Sequence, residues 1–252
     1  MKIIDFHSHL QEEWLGRKLL NAKQFVEGMD RCGIEAACIF TLAGFYGNAP
    51  AENDRLAADS AHYPHRLIPF VTVDPKLGAP AVAEVERCLS IPNGRFRGVK
   101  FHSWMQAFAP SLVRETMIGI LRCAAKHKAP VLFHDGTPPY STTFQIAALA
   151  RWVPGAQIVL GHAGLSDYVY PAGQLMRDIP NLYACLCGPK PGDLEYLLKA
   201  AGPERIVWGS DFGFSHWRVL SERLDDVLEA TLDDAQRERV FYSNAARLLQ
   251  WG

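Results

Sequence analysis

The chain has 252 residues, 48% of them apolar, with 26 basic and 27 acidic side chains and a formal net charge of −1. That size suits one large domain or two small ones, and the apolar share supplies a core to match. A balanced charge without a basic stripe or acidic tail argues against a nucleic-acid partner and against disorder, and apolar runs no longer than a strand argue against a membrane span.

Met1-Lys2 leads directly into a strand-like run, with no apolar signal segment. Six cysteines (Cys32, Cys38, Cys88, Cys123, Cys185 and Cys187) form no C-x-x-C pair, so they read as core thiols of a cytoplasmic protein. Ile3–Phe6 is the first expected strand, followed by a helix over Ala22–Arg31 and a strand over Ala36–Phe40. Pro50 precedes a helix over Ala51–His62, and the strand Leu67–Val73 and helix Ala79–Leu89 follow. Gly98–His102, Val131–His134, Gln157–Gly161, Leu182–Cys185 and Arg205–Gly209 continue the strands. Between them Leu112–Lys126, Thr143–Trp152 and Asp193–Ala200 read as helices. After His162, Pro171 and Gly173 interrupt the pattern, so only a short helix near Gly173–Arg177 is expected. Trp217–Glu229, Asp233–Val240 and Asn244–Gln250 close the chain as helices.

No linker or low-complexity tract divides this series, so residues 1–252 form a single domain. Eight β–α alternations with nearly continuous apolar strands predict an α/β fold, a closed (β/α)8 TIM barrel with extra C-terminal helices. An open doubly wound sheet lacks support, because no glycine-rich phosphate turn follows the first strand. Functional groups of such barrels lie at the C-terminal ends of the strands. His7, His9, Lys100, His102, His134, His162 and Asp211 all take that position, whereas His62, His65 and His127 do not. His7 and His9 are two residues apart and so project from one strand face, where two neutral imidazoles can fill adjacent corners of a metal's coordination sphere.

Ile4-Asp5-Phe6-His7-Ser8-His9, Leu132-Phe133-His134, Gly161-His162-Ala163-Gly164 and Trp208-Gly209-Ser210-Asp211 together resemble the amidohydrolase superfamily. More narrowly, the chain resembles its amidohydrolase-related group, which holds metal-dependent hydrolases and decarboxylases. Tyr63-Pro64-His65-Arg66-Leu67, Gly98-Val99-Lys100 and Asn244-Ala245-Ala246-Arg247-Leu248 extend the likeness over nearly the whole chain. The resemblance implies His7, His9, His134 and Asp211 as ligands of one divalent metal. Asp211 would also exchange a proton with bound water, and His162 would orient substrate or move protons. Two-metal relatives carboxylate a strand-four lysine, here Lys100, as a bridge; the Gly-Val-Lys context matches one-metal members better. His102 shares the Lys100 face and is a candidate to reach substrate. Relatives are often homodimers, although no interface is legible.

Three imidazoles and a carboxylate suit Zn²⁺ and tolerate Mn²⁺, Fe²⁺ or Co²⁺. Such an ion lowers the pKa of bound water from about 15.7 to about 7. The expected chemistry is attack of that water on an amide, lactone or ester carbon of a small molecule. Trp104, Tyr140, Tyr168, Phe212, Phe214 and Trp217 follow the strands and are candidates to line its pocket. Decarboxylation of an unsaturated or aromatic acid is the second expectation. It calls for a cation near the substrate carboxylate, and only Arg97 and Arg218 lie near strand ends. The chain is also short beside decarboxylase relatives. A barrel that binds without turnover is the third reading.

Overall fold

The computed structural model describes residues 1–92, 95–214 and 216–252. Eight parallel strands form one sheet in chain order: β1 (Ile4–His9), β2 (Ala36–Phe40), β3 (Leu67–Thr72), β4 (Gly98–Phe101), β5 (Val131–Phe133), β6 (Ile158–Leu160), β7 (Leu182–Leu186) and β8 (Ile206–Trp208). All 35 positions of these strands are buried, as their largely apolar character requires. The sheet curls back on itself where β8 runs out. Asp211 donates its amide to the His7 carbonyl at 2.8 Å, and His9 donates to Phe212 at 2.7 Å. This is the expected TIM barrel.

Ile4, Phe6, Ile68, Phe70, Leu132, Val159, Tyr183, Cys185 and Val207 fill the barrel interior. The alternate strand residues, Val99, Phe101, Val131, Phe133, Leu160 and Trp208 among them, face the helices in a second core.

The helices are α1 (Ala22–Arg31), α2 (Ala49–Ala61), α3 (Ala79–Leu89), α4 (Arg114–Lys126), α5 (Thr143–Trp152), α6 (Leu165–Asp178), α7 (Pro191–Ala201), α8 (Arg218–Leu228), α9 (Asp234–Glu238) and α10 (Asn244–Leu249). Their starts follow from local chemistry. Asn21 and Gln24 form a reciprocal capping box at α1, and Asn48 caps α2 with Pro50 in its first turn. The helix after His162 differs from expectation. It runs for 14 residues straight through Pro171. The carbonyl that Pro171 leaves without a helical donor belongs to Asp167, an exposed residue, and buried Val169, Ala172 and Met176 hold the helix to the core. A short hairpin pairing Glu13–Trp14 with Arg17–Lys18 is also new; it turns on Leu15 and Gly16, both at positive φ. The two C-terminal helices join through a π-helical turn over Arg239–Ser243. There the Asn244 amide donates to the carbonyls of Pro203 (2.6 Å) and Ile206 (2.8 Å), fastening the chain end to β8.

All six cysteines are free thiols. Among the described residues no helix is long and apolar enough to cross a membrane.

Candidate metal centre

The site begins with a defect in β1. Asp5 pairs with Ala37 but Ser8 pairs with Ile39, so one extra residue is inserted between them. Strict alternation would turn His7 and His9 away from the interior that Ile4 and Phe6 occupy. The bulge resets the phase and aims both imidazoles inward, as bulges beside functional sites often do. Asp5, fully buried, pins the defect: it accepts from the amides of His7 and Ser210, each at 3.0 Å, and from the Ser210 hydroxyl at 2.5 Å. Burial pushes its carboxyl up to about 7, against the pull of those three donors.

Two glycines make room for His7. A Cβ on Gly209 would stand 2.7 Å from the His7 Cβ and 2.5 Å from the Cys185 sulfur, and one on Gly161 would stand 3.0 Å from His7 Cε1. The Gly161 carbonyl lies 3.0 Å from His7 Nδ1 and accepts its proton, which leaves the Nε2 lone pair to face a donor or a cation.

Asp211 faces both imidazoles. Its Oδ1 lies 3.1 Å from His9 Nε2 and 3.5 Å from His7 Nε2. Its backbone sits at φ 59°, the left-handed region, where strain is common at functional sites. Burial would raise the Asp211 pKa, but the hydrogen bond from His9 and the surrounding imidazoles hold it well below the carboxylate range. Burial, with Lys100 and His162 nearby, pushes His7 well below its ordinary value, and burial likewise lowers His9. One donor atom from each of His7, His9 and Asp211 lies within 4.8 Å of the others. Two neutral imidazoles and an ionised carboxylate are the protonation states a divalent cation needs, so the donor set fits one.

The next shell is continuous with this trio. Lys100 Nζ is fully buried, 3.0 Å from His7 Nε2 and 4.5 Å from the centre of the Phe40 ring. Burial pushes its ammonium down to about 8. His162 Nδ1 donates to the Cys187 carbonyl at 2.6 Å, and its Nε2 meets His134 Nδ1 at 2.8 Å. His134 in turn touches the Thr137 hydroxyl at 2.8 Å through Nε2 and stacks on His102 at 3.8 Å between ring centres. Burial pushes His102 down to about 2 and lowers His134 further. His134 thus reaches the trio through His162, whose ring centre lies 4.8 Å from that of His7.

The expected aromatic wall is assembled only in part. Phe214 packs on His9 at 4.7 Å with Trp14 behind it at 6.0 Å, and half-exposed Trp104 lies 6.3 Å from His102. Tyr140 is partly exposed on the loop whose Ser141 hydroxyl accepts the Trp104 amide. Phe212 does not line the mouth: it is buried against Phe25 of α1, because its backbone pairs with β1 and turns the ring outward. Tyr168 packs on Phe144 and Trp217 lies under Arg31, both in the helical layer. Arg97 belongs to the other end of the barrel, where Lys2, His65, Arg95, Arg97, Tyr242 and Trp251 line a cavity of about 610 Å³.

Two carboxylates escaped sequence reasoning. Asp5 holds the bulge. Asp135 accepts from the His162 amide at 2.7 Å, the Gly164 amide at 2.8 Å and the Thr143 hydroxyl at 3.0 Å, and so shapes the turn that presents His162. Each stands one or two positions from a strand-end histidine, and that adjacency is the signal they carried.

The sequence profile of the Amidohydrolase family matches residues 4–251. The chain belongs to the amidohydrolase family. No curated protein matches the chain at the sequence level. Its fold is that of 5-carboxyvanillate decarboxylase LigW from Sphingomonas paucimobilis (TM-score 0.80, 16% identity, 99% of each chain). It is equally similar to a dihydroxybenzoic acid decarboxylase from Polaromonas sp. JS666, solved with manganese and 2-nitroresorcinol (TM-score 0.79, 19% identity, 99% of this chain and 97% of that one). A Staphylococcus aureus chain named for the amidohydrolase class alone matches too (TM-score 0.75, 20% identity, 99% of this chain and 100% of that one). The chain spans nearly the full length of the two decarboxylases, so it is not short beside them.

Proposed function

We propose that this family member is a divalent-metal-dependent decarboxylase of a small aromatic or unsaturated carboxylic acid. The observation that carries the reading is the aromatic mouth. Phe214 lies against His9 and Trp104 near His102, so a planar ring can stack beside the imidazoles. Similar solved structures named as decarboxylases of hydroxylated benzoic acids support it.

His7, His9 and Asp211 would hold the ion; His134, expected from the sequence as the fourth ligand, reaches them only through His162. Their nitrogen and oxygen donors accept Zn²⁺ and Mn²⁺ alike, and manganese is the ion in three of the similar structures. When bound, the ion supplies a Lewis acid that anchors the acid and polarises it. The chain's residues supply the rest. The bond to the carboxylate breaks, its electron pair stays on carbon, CO₂ leaves, and that carbon takes a proton. Asp211, open to the mouth with its side chain 37% exposed, is the group placed to carry the proton. His162, held by Cys187 and Asp135, keeps a fixed orientation toward the same space. Lys100 stays an ammonium against His7 rather than a bridge between two ions.

Hydrolysis of an amide, lactone or ester is the second reading. It is favoured by the engagement of Lys100 with His7 and the remote position of Arg97, which leave a substrate carboxylate few cationic side chains. The deciding experiment incubates the Mn²⁺- or Zn²⁺-loaded enzyme with a panel of hydroxylated benzoic acids and measures CO₂. Release of CO₂ with the matching decarboxylated product supports the first reading. Turnover of esters or amides without CO₂ selects the second, and activity indifferent to chelator excludes both.

A further inference from the structure

A second group of metal-type donors lies in the helical layer, away from the barrel mouth. Glu86 on α3 faces the last turn of α4. Its Oε1 is 3.2 Å from His127 Nε2, and its Oε2 accepts from the Cys123 thiol at 3.2 Å. One donor atom from each of Glu86, Cys123 and His127 lies within 4.8 Å of the others. Cys123 and His127 are four residues apart at the end of one helix and therefore share a face. Because barrel helices run opposite to the strands, the end of α4 lies at the face of the barrel remote from the imidazole cluster.

We propose that Glu86, Cys123 and His127 form a binding site for a thiophilic divalent cation of the Zn²⁺ type, clamping α3 to α4. Sulfur, imidazole nitrogen and carboxylate oxygen are the donors zinc prefers, and three from the protein leave one position for water. The site also lies at a helix C-terminus, where aligned carbonyls favour positive charge. The cations already there make the same point. Lys126 Nζ contacts Glu86 Oε1 at 2.7 Å, alongside a hydrogen bond from the Ser90 hydroxyl at 3.2 Å. The Lys126 side chain is 65% exposed and can swing into solvent to yield the carboxylate. Cys123 itself is buried, so its thiol, pushed up to about 12 chiefly by burial, keeps its proton until a cation arrives. Binding then breaks the S–H bond, forms a metal–sulfur bond and releases one proton to water.

Titration of the chelator-stripped chain with Co²⁺ tests this directly, because a thiolate ligand adds a charge-transfer band that nitrogen and oxygen ligands do not. The expected result is such a band in the natural chain. It should be lost in Cys123→Ser together with one equivalent of bound cobalt, while the imidazole–carboxylate centre still fills. His127→Gln should weaken binding at this site at least tenfold, and Lys126→Ala should tighten it severalfold by removing the competing ammonium. A spectrum and stoichiometry identical in the natural chain and Cys123→Ser would overturn the site. A band that persists in that variant would be assigned to another thiol, such as Cys187 beside His7 and His162, and would overturn it equally.

Discussion

The Nε2 of His9 stands 3.1 Å from Oδ1 of Asp211, although 202 positions separate the two residues in the chain. The contact is possible because β1 and the end of β8 share backbone hydrogen bonds at that point. Closure of the barrel and assembly of the centre are therefore one event.

Asp211→Asn should lower turnover by about 10²–10⁴-fold, the usual worth of a positioned proton carrier. The fold should persist, since asparagine tolerates the left-handed backbone at this position. Steady-state kinetics and circular dichroism together check this; unchanged turnover would remove Asp211 from the proton path.

Gly209→Ala should displace His7, because its new Cβ would meet the His7 Cβ and the Cys185 sulfur. A stability loss of about 1–3 kcal/mol follows from overpacking. Bound metal per chain should fall as well. Urea unfolding and elemental analysis give the two readouts, and a fully loaded, stable variant would show that the slot around His7 has slack.

Metal content bears on Lys100. In the Cys123→Ser background, which lacks the outer thiol, one divalent ion per chain is expected. Two ions there, with a requirement for bicarbonate, would make Lys100 a carboxylated bridge instead.

Phe214→Ala and Trp104→Ala should each raise KM for a ring-bearing acid by about fivefold or more, as expected from loss of an aromatic contact of about 1 kcal/mol. Neither should alter metal content. A KM unchanged in both would move the substrate to another wall.

Acid stability has a separate source. Glu84 accepts from Asn53 at 2.8 Å and from Arg87 at 2.7 Å, its side chain only 10% exposed. Burial opposes ionisation, but those bonds win and hold its pKa below the ordinary 4.5. The folded state therefore binds this proton more weakly than the unfolded chain. Its stabilising contribution is complete above pH 4.5 and fades as pH falls through the depressed value. Glu84→Gln should be less stable than the natural chain at pH 7, with the gap closing in acid. Urea midpoints at the two pH values measure it, and a gap that widens in acid would contradict the sign.

Much of this architecture is legible in one dimension. Eight apolar, β-branched runs separated by amphipathic segments leave few ways to bury both strand faces, and the barrel follows. His7, His9, His134, His162 and Asp211 stand out as candidates because ligand-type residues recur at equivalent strand ends, and the structure groups donors of His7, His9 and Asp211. What only the tertiary structure decided is phase and direction. The single-residue bulge after Asp5 turns His7 inward, Phe212 turns outward against Phe25, α6 runs through Pro171, and Arg97 lies at the opposite end from the imidazole cluster. The physical reason is common to all four. Periodicity records which residues are apolar along a strand or helix. Which way each side chain points, and which distant backbone supplies its hydrogen bonds, is settled only when the strands pair and the barrel closes.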